Sequence, residues 1–282
     1  MAAFACAALA WAAPRELDPS PTALAEALHG HRVVLLGEVH DNPTQHALRL
    51  ATLRKLLATG ARPAIAFEQF DRERQTAIDR ARREKPGDAD HLIAEAKGAP
   101  GWDWHFYRPY VALALEYDLP IVATNLSRGD AMRVALDGWP AVFDAAAARE
   151  LKLDTLPAEF RRKHENTIAL GHCNLLSAEE TPALARAQMA RDIVMARSIA
   201  PYLERGVVLL AGNGHVRRDI GVPFWLPADA QRNAMSVGLL ERDDNAAAES
   251  GADFDAYAVT ERAERPDPCE ALAKRRRAAH AR

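Results

Sequence analysis

The stretch RGVVLLAGNGHVRRDIGVPFWL, residues 205–226, carries a short aliphatic run into Ala-Gly-Asn-Gly and then delivers a single imidazole, His215. HRVVLLGEVH, residues 31–40, repeats the plan near the start of the chain and delivers His40. An uninterrupted apolar run of this length, bounded by glycine, reads as a strand buried on both faces, which is the condition of a strand in a parallel sheet. Glycine at the exit lets the chain leave the strand sharply and lets a ligand approach the backbone closely.

Working outward, further strands are predicted at RPAIAFEQF (62–70), LPIVATNLS (119–127), MSVGLL (235–240) and FDAYAVT (254–260). Between them lie longer amphipathic stretches: PTQHALRLATLRKLLATG (43–60), the charged DRERQTAIDRARREK (71–85) with a solvated face, and the aromatic GWDWHFYRPYVALALEY (101–117). This alternation predicts an α/β fold, with a mostly parallel central sheet flanked by helices. Residues 130–205 read as almost wholly helical, broken at Asp137-Gly138-Trp139-Pro140 and at Pro157, and so as a helical insertion or cap rather than a separate domain. The expected organisation is a single domain over 19–264 and a basic tail over 265–282, RPDPCEALAKRRRAAHAR, which suits a last helix, a surface contact or disorder.

Composition bounds the function classes. The 282 residues are 49% hydrophobic and 27% charged, with 36 Lys and Arg against 39 Asp and Glu, a formal charge of −3. That near balance argues against a nucleic-acid groove, which needs a basic excess. No stretch reaches the ~20 apolar residues of a membrane span. The opening MAAFACAALAWAAPRELD resembles the apolar region and small-residue cleavage site of a secretory signal over residues 1–18, without a basic start. It predicts export, with a start codon upstream of Met1, and a mature protein that is periplasmic or associated with the outer membrane. Cys6 is a candidate lipid-acceptor cysteine, although Ala3-Phe4-Ala5 lacks the usual Leu of a lipoprotein signal. With Cys6 removed, Cys173 and Cys269 remain to pair in an oxidising compartment.

In open parallel sheets, binding groups collect just past the carboxyl ends of the strands. Those places hold Gly37-Glu38-Val39-His40, Glu68-Gln69, Thr124-Asn125 and Gly212-Asn213-Gly214-His215. Singly, a histidine after a strand is most often a hydrogen-bonded turn residue, and a glutamate there often caps the next helix. Two Gly-x-x-His turns with two glutamates inside apolar runs are harder to dismiss, because unpaired buried carboxylates are costly. Histidine and glutamate together suit a divalent metal, a hydrolytic acid/base site or the polar lining of a bound cofactor.

LLGEVHDNPTQHALRL, AIAFEQF, GHCNLLSAEETPALARAQMARDIVMARSIA and AGNGHVRRDIGVP together resemble the ChaN-type haem-binding proteins, in the superfamily that also holds TIKI, TraB and the erythromycin esterases. The resemblance spans roughly residues 30–240. It implies an iron-regulated, exported protein, often a lipoprotein, that binds haem for its uptake or handling, and an outer-membrane haem receptor system as a partner. Through the TIKI and esterase branches it also implies an alternative, a hydrolase that is metal-dependent (Mn, Co or Zn) or activates water directly. The residues matching that alternative are Glu38, His40, Glu68 and His215, with His46 and Asn213 nearby. No Cys-x-x-Cys-His is present, so haem would be held non-covalently, and its iron takes His or Tyr. The candidates are His172, Tyr107, Tyr110 and Tyr202, with Met189 and Met195 as porphyrin-lining residues and Arg161, Arg162 and Lys163 for the propionates. Aromatic and Met residues at this spacing more often belong to a core. The haem site is expected in an apolar groove of the cap, of one subunit or shared in a homodimer, and distinct from the Gly-x-x-His cleft.

Overall fold

The structure is a computed structural model and describes residues 13–98, 101–242 and 250–280. The chain runs β1 (Arg15–Leu17), α1 (Pro21–Leu28), β2 (Val33–Leu36), α2 (Pro43–Ala58), β3 (Ala64–Asp71), α3 (Gln75–Glu84), α4 (Ala89–Ala96), α5 (Trp104–Glu116) and β4 (Ile121–Asn125). Four helices follow without a strand: α6 (Arg128–Asp137), α7 (Ala145–Glu150), α8 (Ala158–Gly171) and α9 (Glu180–Ile199). The chain then returns through β5 (Val207–Leu210), α10 (Asn213–Val216), α11 (Ala228–Asn233), β6 (Ala234–Glu241), β7 (Ala256–Thr260) and α12 (Pro268–His280).

The strands form one sheet in the order β1-β7-β6-β2-β5-β3-β4, with every neighbouring pair parallel. The two Val-Val-Leu-Leu runs are adjacent and in register, Val33 beside Val207 and Leu36 beside Leu210. All eight of these side chains are buried, alternately toward two apolar clusters on opposite faces. A third cluster, around Val134, Phe143, Phe160 and Ile193, is the interior of the helical cap, and α9 joins it to the sheet.

The six strands expected from the sequence are present. A seventh, β1, pairs with β7 and lies inside the segment read as a signal; residues 1–12, including Cys6, fall outside the described residues. The charged stretch at 71–85 becomes α3, which buries only Ile78 and Ala81. The cap breaks where glycine and proline demanded, with Gly138 at φ 81° after α6 and Pro157 before α8. The basic tail is helical. Cys173 and Cys269 are joined by a disulfide that ties α12 to the turn after α8.

Candidate functional site

The carboxyl ends of β2, β3, β4 and β5 open on one edge of the sheet, and the two histidine turns meet there. Gly212 has no side chain because His40 occupies the space; a Cβ would lie 2.7 Å from its Cε1. Glu68 lies between the two imidazoles in an electrostatic sense, since both pull on its carboxylate. Its Oε2 accepts from the Gly212 amide at 2.8 Å, and its Oε1 stands 3.3 Å from His215 Nε2.

His215 is buried, and its other nitrogen, Nδ1, meets Asp192 Oδ1 at 2.6 Å. An imidazole facing a carboxylate at each nitrogen is held as the doubly protonated cation. Burial opposes that charge, but Glu68 and Asp192 outweigh it and raise His215 to about 10. Burial likewise pushes Glu68 up, yet the two histidines win and hold it at about 2. For Asp192 burial prevails, and its carboxyl rises to about 6 despite His215.

A second network surrounds Glu38. Its carboxylate, buried at the end of β2, is ion-paired with the wholly buried Arg49 of α2, accepts from Tyr107 Oη at 2.6 Å, and stands 2.9 Å from His40 Nδ1. His46 lies 3.4 Å from its other oxygen and is stacked on Phe106, and burial lowers its pKa. Asn213 is structural: it donates to the Leu239 carbonyl and accepts from the Leu239 amide, tying the turn to β6.

Beside these groups is a cleft of about 540 Å³, lined by His40, Glu68, Asp71, Trp102, Tyr107 and Arg191 among others. His40, with its side chain 47% exposed, is the histidine of the pair that faces it. Among the described residues, no three of His, Cys, Asp and Glu are grouped to hold a metal ion. The reason lies in the partners: both His215 nitrogens face carboxylates, and Arg49 neutralises Glu38. The geometry does not support the metal alternative.

The haem candidates separate. Tyr107 and Tyr110 are buried, donate to Glu38 and to the His46 carbonyl, and are pushed up by burial, away from the phenolate form. Tyr202 packs against the sheet cluster, before β5 and so at the opposite edge. Met189 and Met195 are buried in the cap and sheet clusters. Lys163 is paired with Asp219 at 3.1 Å, whereas Arg161 and Arg162 are exposed.

His172 is different. It caps the C-terminus of α8, half-buried, and its Nδ1 donates to the Ile168 carbonyl at 2.8 Å. A carbonyl only accepts, so Nδ1 carries a proton, and in the neutral ring the lone pair is on Nε2. The ring borders two neighbouring cavities of about 180 and 200 Å³, the second walled by Ala131, Met132, Ile168, Leu184 and Ala187 together with Arg128, Gln188 and Arg191. The large apolar side chains exposed among the described residues are Met132, Leu136, Leu170 and Phe224, from α6, from α8 and from a ring stacked on Phe160 of α8. An imidazole whose Nδ1 is committed to a carbonyl and whose Nε2 is left for a ligand, beside Met132, Ile168 and Leu184, fits haem iron.

The sequence reading missed Arg49, Asp192, Arg191 and Asp71. Arg49 and Asp192 did leave a signal: each is a charge on the buried stripe of a helix, Arg49 with Thr52, Leu53 and Leu56, Asp192 with Met189, Ile193 and Met195.

Fold and site define a parallel α/β protein with a histidine–carboxylate strand edge and a helical cap that displays an accessible imidazole. The chain matches the family model "Haem-binding uptake, Tiki superfamily, ChaN" over residues 24–226, and it belongs to that family. Among solved structures it resembles ChaN of Campylobacter jejuni, described with cofacial haem binding, at 21% identity over 86% of this chain and 97% of that one, with a TM-score of 0.65. A mutant erythromycin esterase in its open conformation aligns at 15% identity over 77% of this chain and 72% of that one, with a TM-score of 0.45. No curated protein matches by sequence.

Proposed function

We propose that the chain binds haem non-covalently on its helical cap, with His172 Nε2 as the iron ligand, and serves haem uptake or handling outside the cytoplasm. The observation that carries the site is the hydrogen bond from His172 Nδ1 to the Ile168 carbonyl, which leaves Nε2 for a metal beside Met132, Ile168 and Leu184. When bound, haem supplies the iron centre. Met132, Ile168, Leu184 and Ala187, which wall the cavity beside His172, would line its ring, and Arg128 and Arg191 at the same cavity would offer charge to the propionates; Arg161 and Arg162 lie about three turns away along α8. An apolar patch left open on one copy also suits a second copy, hence a homodimer. Cofacial haem binding in the Campylobacter jejuni relative supports the ligand. The disulfide supports an oxidising compartment, and so export, with a periplasmic or outer-membrane-associated location and an outer-membrane haem receptor as partner.

The test is a hemin titration followed by absorption spectroscopy. Wild type should give a saturable Soret shift, and His172→Ala should lose it or convert it to the spectrum of a differently ligated haem. An unchanged spectrum and affinity in His172→Ala would rule out this ligand, and no saturable shift in wild type would rule out the function.

A further inference from the structure

The cleft at the strand edge shares Arg128 and Arg191 with the cavity beside His172 but extends away from it to His40 and Trp102, and its charges are unequally committed. Of the carboxylates that line it, Asp41 is paired with Arg265 at 2.9 Å, Glu68 is held by Gly212 and His215, and Asp103 accepts from the His105 amide at 3.0 Å. Asp71 differs: its Oδ1 is buried without a hydrogen-bond partner, and burial raises its pKa.

The cations are freer. Arg191 donates through Nη1 to Asn125 Oδ1 and to the Leu126 carbonyl, each at 2.6 Å, which fixes the guanidinium on neutral acceptors. Arg128 is exposed, and no carboxylate pairs with it among the described residues. It stands close enough to Arg191 to repel its charge, against the stronger attraction of Glu68, Asp71 and Asp192 for that guanidinium. Two guanidiniums at one end of a concave site, one of them anchored, make a seat for a carboxylate. The other end is walled by Trp102, which meets His40 edge-on at 4.7 Å, and by Phe106.

We propose that this cleft binds a small α-amino or α-hydroxy carboxylic acid with an aromatic or branched apolar side chain. The carboxylate lies on Arg128 and Arg191, the donor on the neighbouring carbon satisfies Asp71, and the side chain lies along Trp102 and Phe106. A ligand of this class supplies the carboxylate partner Arg128 lacks and the donor Asp71 lacks. The size is adequate, since a cleft of about 540 Å³ holds a molecule of ten to fifteen heavy atoms on the general scale of small-ligand pockets, roughly 300–1,000 Å³.

The experiment is isothermal titration calorimetry on the full chain with phenylalanine and 3-phenyllactate, against phenethylamine, which lacks the carboxylate, and 3-phenylpropionate, which lacks the donor. Saturable binding of either acid is expected, with both controls weaker by about tenfold or more, the difference one charged hydrogen bond makes. Arg128→Gln, an exposed change that spares the fold, should weaken binding by a similar factor. Asp71→Leu, which removes the acceptor, should erase the preference for phenylalanine and 3-phenyllactate over 3-phenylpropionate. No saturable heat with either acid overturns the proposal, as does full affinity in Arg128→Gln or equal affinity for phenethylamine. Arg128 and Arg191 also border the cavity beside His172, so the acids and hemin are titrated separately and then together. Hemin binding without acid binding overturns this proposal and leaves that reading intact, whereas acid binding that persists in a hemin-negative preparation supports this one alone.

Discussion

Removing the His215 imidazole should be among the most damaging single changes in this protein. In the native state His215 sits between Asp192 at 2.6 Å and Glu68 at 3.3 Å, all three buried. Its displacement from 6.5 to about 10, at about 1.4 kcal/mol per pH step, corresponds to about 5 kcal/mol in favour of the imidazolium. His215→Ala leaves two like charges buried without their cation, a defect that costs about 3–5 kcal/mol in comparable buried pairs. Urea unfolding at neutral pH should register that loss, and Asp192→Asn in the same chain should recover part of it. The pH dependence fixes the mechanism. The contribution of a raised histidine is complete below 6.5 and disappears as pH rises through about 10, so wild type and mutant should converge over that window. Glu68, depressed from 4.5 to about 2, adds stability that is present above 4.5 and lost as pH falls toward 2. A loss below about 1 kcal/mol, the range of ordinary surface changes, or a difference that stays constant from neutral to alkaline pH, would refute the reasoning.

Three further outcomes are expected. His164 is buried beside the smaller cavity near His172, and burial lowers it to about 4, so its imidazole NMR signals should show a neutral ring throughout the physiological range; the native state resists its protonation, and stability should decline as pH falls from 6.5 through about 4. Gly212→Ala places a Cβ 2.7 Å from His40 Cε1, so it should cost about 1–3 kcal/mol on unfolding and displace His40 from Glu38, visible as shifted His40 ring resonances in NMR spectra at one fixed pH. Cys269→Ser removes a cross-link spanning 96 residues of sequence, worth about 4–5 kcal/mol in the chain-entropy account. Because the inward face of α12 is only half-buried, hydrogen exchange in this variant should show α12 losing protection while the sheet keeps it.

The sequence by itself determined the sheet and the place to look. Val-Val-Leu-Leu between glycines can be satisfied only by burial on both faces, so β2 and β5 and their parallel pairing were legible, and with them the shared edge of Glu38, His40, Glu68 and His215. The helical content of 130–205 was legible for a similar reason, because glycine and proline mark where helices stop. Tertiary structure alone decided what those groups are. Whether His215 is a free base or a trapped cation depends on Asp192, 23 positions away on α9, and whether Glu38 is reactive or neutralised depends on Arg49 of α2. The separation of Tyr107, Tyr110, Met189 and Met195, which are buried, from His172, which is accessible, was likewise set by which face of each helix turned inward. Strand burial is a local property of composition, whereas the charge state of a buried side chain is set by neighbours that only the folded chain brings within a few ångströms.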